Sequence, residues 1–167
     1  MFSCRREIVV NATPERVFSI VSDVERHADL AGSKEVLKVR KLTQGPVGMG
    51  TEFEADEDIK EPRMVRAKFT AKSTVNSFEA GKAFGWRIHP PMGPKSTIDW
   101  VYLLEPQGNA VKLTETVRVK VNNPVMDLIA MLPYSWTRGK IVARGMEKTL
   151  ANVKAAAEAH RPWVTER

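Results

Sequence analysis

The chain has 167 residues, 43% of them hydrophobic and 28% charged, which suits one ordinary core and leaves no room for two. No apolar stretch approaches the roughly 18 residues that a membrane-spanning helix needs, and a single cysteine, Cys4, excludes an internal disulfide framework. The formal charge of +6, from 26 Lys+Arg against 20 Asp+Glu, is the one unusual figure and raises nucleic acid, acidic lipid or an anionic ligand as partners.

Met1-Phe2-Ser3-Cys4-Arg5-Arg6 has neither the apolar run of a secretory signal nor a lipidation pattern, so the expected compartment is cytoplasmic. Glu7-Ile8-Val9-Val10 reads as a strand, with Phe2, Cys4, Ile8 and Val10 on one face. Cys4 then reads as a small buried hydrophobe. Thr13-Pro14-Glu15 opens a helix, with Thr13 as N-cap, Pro14 at the first helical position and Glu15 at the positive helix end. Val17, Phe18, Ile20 and Val21 form its apolar stripe, and a second short helix is expected from Asp23 to about Leu30.

From Lys34 to Val121 the hydrophobic period becomes two. Strands are predicted over Val36 to Thr43, Thr51 to Ile59, Met64 to Val75, Ala83 to His89, Thr97 to Glu105 and Ala110 to Val121. Short turn-rich connections, such as Glu79-Ala80-Gly81 and Pro106-Gln107-Gly108-Asn109, argue for antiparallel neighbours. Folding about Glu61 sets Phe53 opposite Phe69, Ala55 opposite Ala67, Glu54 opposite Lys68 and Asp56 opposite Arg66. Folding between Gln107 and Gly108 sets Tyr102 opposite Leu113 and Trp100 opposite Glu115. In that second hairpin one carboxylate, Glu115, stands between Leu113 and Val117 on the apolar face.

After Asn122-Asn123-Pro124 the period returns to helical. A short apolar helix carries Val125, Leu128, Ile129 and Leu132 and is expected to be interrupted at Pro133. A longer helix follows, with Trp136, Gly139, Val142, Ala143, Met146, Leu150 and Val153 on one stripe. Arg138, Lys140, Arg144, Glu147, Lys148 and Lys154 fall mostly on its other faces. No repeat, linker or second domain interrupts the chain, so residues 1–167 read as one domain.

Three segments carry a resemblance: Asn11-Ala12-Thr13-Pro14-Glu15-Arg16-Val17-Phe18; Trp100 to Pro106 followed by Leu113-Thr114-Glu115-Thr116; and Arg144 to Leu150. With the order of elements, they make the chain similar to the START/Bet v 1-like, helix-grip (SRPBCC) superfamily, in particular its polyketide cyclase/dehydrase-like branch, over about Glu7 to Ala159. The resemblance implies an α+β fold, with a curved antiparallel sheet of about seven strands around a long C-terminal helix. It also implies that a lipid, sterol, polyketide or similar molecule is held between them, either carried or converted. The chain departs from many such proteins in reading Ala28-Asp29-Leu30 where they carry a Pro-Trp-like pair.

The candidate pocket is lined by Phe53, Phe69, Trp86, Ile88, Trp100, Tyr102 and Glu115 from the sheet, with Met126, Ile129, Trp136, Val142 and Met146 from the helices. The same residues would also serve a filled core without a cavity. Glu115 is either a ligand-orienting or acid/base group, with Tyr102 as its partner in catalysis, or a structural hydrogen-bonding group tied to Tyr102 or the Trp100 indole, or a residue at a strand end that meets solvent. His89 precedes Pro90-Pro91-Met92-Gly93-Pro94, a loop that with Pro133 is the expected gate, and His27 reads as a surface residue. With one cysteine and three scattered histidines, no metal site and no cofactor is expected.

The basic residues alternate with apolar ones as outward strand faces do, which argues against nucleic acid and leaves room for transient contact with an anionic membrane. The expected function is binding or carriage of a small hydrophobic molecule. The alternatives are a polyketide cyclase or dehydratase, and an interaction module that uses the sheet's outer face.

Overall fold

The computed structural model describes residues 1–59, 67–89, 96–120 and 124–159, with 124–137 described as helix backbone alone. The elements are β1 (Phe2–Val10), α1 (Pro14–Val21), a 3-10 turn (Val24–Arg26), α2 (His27–Leu30), β2 (Val36–Lys41), β3 (Glu52–Ile59), β4 (Ala67–Glu79), β5 (Ala83–His89), β6 (Thr97–Gln107), β7 (Ala110–Lys120) and α3 (Pro124–Glu158). The Thr13 hydroxyl caps α1 by accepting from the Arg16 N–H at 3.3 Å.

All seven strands form one antiparallel sheet in the order β1-β7-β6-β5-β4-β3-β2. This is the helix-grip α+β architecture: six consecutive strands run as hairpin neighbours, and the first strand closes against the last. Strand β1 alternates along its length, which places Phe2, Cys4, Arg6, Ile8 and Val10 on one face. Half-buried Cys4 packs there against Val117, Val119 and Met146.

Helix α3 lays Ala143, Met146, Leu150, Val153 and Ala157 on the core at alternating steps of three and four, all 9% exposed or less. Its approach is close. A Cβ on Gly32 would overlap Lys148 Cβ and the Gly145 carbonyl, and would stand 2.7 Å from the Thr149 nitrogen. Two hydrogen bonds tie the same seam: the Gly32 N–H donates to Thr149 Oγ1 at 2.9 Å, and Asn152 Nδ2 donates to the Leu30 carbonyl at 3.0 Å.

Four expectations need correction. Strands β3 and β4 pair with Phe53 opposite Ser73, Ala55 opposite Ala71 and Glu57 opposite Phe69, a shift of four residues from the folding about Glu61. An even shift keeps every side chain on its face, so alternation alone cannot distinguish the two registers. The observed register sets Thr70 opposite Asp56, and the Thr70 hydroxyl donates to Asp56 Oδ1 at 2.8 Å. Arg40 of β2 donates to Glu54 Oε1 at 2.9 Å and to both Asp56 oxygens at 2.5 and 3.0 Å, while small Ser73 leaves room for the Phe53 ring to reach Trp86 at 6.3 Å.

The β6–β7 hairpin turns on the two residues Gly108-Asn109, with Gly108 at φ +61°, as a first-position glycine in a two-residue hairpin turn provides. That moves the register by two, so that Tyr102 faces Glu115 and Trp100 faces Val117. Helix α3 runs through Pro133 without a break. Proline removes one backbone hydrogen bond, and a helix of 35 residues held by packing further along absorbs that loss. Arg138, expected on an outer face, is buried, and both ends of its guanidinium donate to Glu35 at 2.6 Å, fastening α3 to the start of β2.

Candidate functional site

Period two along β5 puts Phe84, Trp86 and Ile88 on the inner face, and the register carries Trp100 and Tyr102 beside them from β6. Trp86 is the hub. Its ring lies near-parallel to Trp100 at 6.2 Å, with Tyr102 at 5.9 Å, Phe84 at 5.7 Å and Phe53 at 6.3 Å. Trp100 and Ile88 remain half-buried while Phe53, Trp86 and Tyr102 are buried. Trp100 also packs against the second cluster, where Val142 and Met146 of α3 meet Val117 and Val119 of β7.

Glu115 is 3% exposed and stands directly between Arg6 of β1 and Tyr102 of β6. The Tyr102 hydroxyl donates to Glu115 Oε1 at 3.1 Å, whereas Oε2 meets no hydrogen-bond partner among the described residues. Arg6, the neighbouring cation, turns its Nε to Glu147 of α3 at 2.9 Å and another guanidinium nitrogen to the Arg5 carbonyl. With no countercharge drawn to it, burial pushes the Glu115 carboxyl up to about 8, against a smaller opposing pull from the Tyr102 hydrogen bond. Tyr102 is itself driven well above its ordinary value, first by burial and then by the Glu115 charge and hydrogen bond. Near neutral pH, then, the pair is a protonated carboxyl beside a phenol.

His27, expected on the surface, is half-buried and turns its ring into this aromatic cluster. Its ring lies 4.9 Å from Trp86, 6.0 Å from Phe84 and 6.3 Å from Phe53, and its Nε2 is 2.8 Å from the Val21 carbonyl. Burial lowers its pKa to about 4, despite the raising effect of that hydrogen bond. The signal was available in the spacing Val24, His27, Leu30, whose two apolar members are fully or nearly fully buried. Phe84, equally unforeseen, follows from the same parity as Trp86 and Ile88.

Of the other expected lining residues, Phe69 is half-buried opposite Glu57, toward the far end of β3. Glu57 is raised to about 7 by burial and then by the Glu35 charge, with Arg138 opposing. Met126, Ile129 and Trp136 lie outside the described side chains, as does that of Pro133, and the loop from Pro90 to Pro94 lies outside the described residues. A separate cleft of about 510 Å³ opens among Ala31, Gly32, Lys34, Leu37, Lys148 and Asn152 and includes none of the expected site residues. Arg87 and Asp99 do point outward, and they pair at 2.7 Å. No helix among the described residues is long and apolar enough to cross a membrane.

The profile of a family described as polyketide cyclase / dehydrase and lipid transport matches residues 1–158. Among solved structures, a START superfamily protein from Mycobacterium smegmatis superposes with a TM-score of 0.64 at 16% identity, covering 93% of this chain and 97% of that one. The di-domain ARO/CYC StfQ of the steffimycin biosynthetic pathway gives 0.69 at 11% identity, over 93% of this chain and 50% of its own. A hypothetical protein of Helicobacter pylori gives 0.71 at 12% identity, over 93% and 88%. At these identities the likeness is one of fold. A search of curated proteins finds no match.

Proposed function

The chain belongs to the polyketide cyclase/dehydrase and lipid transport family, and from that premise we propose that it binds and carries a small hydrophobic molecule between the inner face of its sheet and α3. The observation that carries this reading is Glu115: a buried carboxyl joined through Tyr102 to the aromatic cluster around Trp86, with one oxygen that no described residue meets. An unmet buried oxygen costs roughly 1–3 kcal/mol, and a bound molecule that supplies the missing hydrogen bond removes that cost. The aromatic rings supply apolar contact area, and the Tyr102–Glu115 pair fixes orientation.

A second reading, cyclase or dehydratase chemistry with Glu115 and Tyr102 as acid and base, draws on the likeness to StfQ and on the raised Glu115 pKa. Carriage is favoured because both members of the pair hold their protons at neutral pH, and His27, at about 4, is a weak base. With the Tyr102 proton committed to Glu115 Oε1, the pair presents one free donor, the carboxyl, and no ionised base for elimination.

The partner in this proposal is a small molecule, with no nucleic acid, no metal and no cofactor, and residues 1–167 act as one domain. Some of the outward cations sit in cross-strand pairs, such as Arg40 with Asp56, Arg87 with Asp99 and Lys112 with Glu105. Transient contact with an anionic membrane fits the same reading, since Leu42, next to Lys41, and Met49 are exposed in the β2–β3 connection.

Native mass spectrometry of the freshly purified protein tests the proposal. Carriage predicts a non-covalent adduct of a few hundred daltons that is lost on denaturation and depleted in Glu115→Gln. Bare protein together with turnover of a poly-β-ketone mimic would move the function to the enzyme.

A further inference from the structure

The aromatic inner face holds a second polar group, His27. The Val21 carbonyl can only accept, so Nε2 carries the ring proton and Nδ1 of the neutral imidazole is a lone-pair acceptor, directed away from Val21. Burial keeps the ring neutral through physiological pH. No described residue donates to Nδ1, and the ring keeps accessible surface although Phe53, Phe84 and Trp86 surround it. His27 is half-buried, and Nδ1 is not among the buried atoms without a partner, so it stays accessible to a small molecule or to water. Trp86 links this group to the first, lying 4.9 Å from His27 and 5.9 Å from Tyr102, whose hydroxyl holds Glu115.

We propose that His27 is a specificity-determining residue of the interior site: its Nδ1 accepts a hydrogen bond from a hydroxyl or N–H of the bound molecule, while the Glu115 carboxyl donates to an oxygen elsewhere on it. The two groups meet a neutral, largely flat molecule that carries at least one donor, and they disfavour a free carboxylate. An anion would set its charge against the lone pair of Nδ1 at one end and favour no ionised partner at the other. The inference rests on the carrier reading above and adds to it the polarity of the cargo.

Equilibrium dialysis with two probes of matched shape tests it: 2-naphthol, which donates, and 2-methoxynaphthalene, which does not. The wild type should bind 2-naphthol about tenfold more tightly, the worth of one hydrogen bond, and in His27→Phe that preference should fall to about parity. Should His27→Phe fail to fold, the ¹⁵N resonance of Nδ1 in the wild-type protein gives the same answer, moving with 2-naphthol and not with the ether. An equal preference in wild type and His27→Phe, or an unmoved Nδ1 with 2-naphthol bound, overturns the assignment and leaves carriage intact. If neither naphthalene binds, the carrier reading and the role of His27 fall together.

Discussion

Glu115 and His27 are both held neutral by one cause, loss of solvent, acting on groups of opposite charge. The carboxyl is raised to about 8 and the imidazole lowered to about 4. Their effects on stability therefore run in opposite directions. Folded Glu115 keeps a proton that the unfolded chain releases above its ordinary 4.5, so its contribution is complete at acid pH and is lost as pH rises toward 8. Unfolded His27 takes up a proton below 6.5, so its contribution is present above that value and lost as pH falls toward 4. Glu57, raised to about 7, adds to the alkaline loss up to that point. Between pH 6.5 and 8 the wild type should lose about 2 kcal/mol more than Glu115→Gln, at up to about 1.4 kcal/mol per pH unit. Urea unfolding of both proteins across that range measures the difference, and parallel profiles would refute the buried, uncompensated carboxyl. The sequence makes Glu115 legible because strict alternation leaves a carboxylate nowhere to go but inward. His27 escapes because a helix of four residues is too short for its period to outvote a polar side chain.

At the scale of elements, strand number, the run of hairpin neighbours and inward parity are readable from alternation and turn residues, whereas register and the pairing of β1 with β7 are not. The β3–β4 pairing shifts by four and the β6–β7 pairing by two, both even, so each face stays correct while each partner changes. The consequence is chemical: the actual turn at Gly108-Asn109 places Tyr102, not Trp100, opposite Glu115. Helix α3 shows a second limit of local patterning. Arg138 lies on a polar face by sequence and is buried by its bidentate pair with Glu35, a partner 103 positions away. The seam that holds α3 depends on the absence of a side chain at Gly32. Gly32→Ala should cost about 2–4 kcal/mol through overpacking against the α3 backbone. Gly48→Ala, with open space around its Cβ, should stay within about 0.5 kcal/mol. Thermal or chemical denaturation of the two variants makes the comparison, and equal midpoints would contradict the close approach.

Across the whole molecule, a sheet too large to bury its own inner face is closed by one long helix, and the aromatic residues gather where the two surfaces meet. Outward pairs such as Arg40 with Asp56 and Arg87 with Asp99 are each neutral and leave the +6 excess outside them, while the chemistry of the interior is set by two neutralised groups among aromatic rings. The most direct test of carriage at that interior is ¹⁹F NMR of protein labelled with 5-fluorotryptophan, titrated with 2-naphthol. The four tryptophans give four resonances. The Trp86 and Trp100 signals, assigned by Trp→Phe substitution, should shift and saturate at one equivalent. Unchanged Trp86 and Trp100 signals at saturating 2-naphthol would contradict an interior binding site.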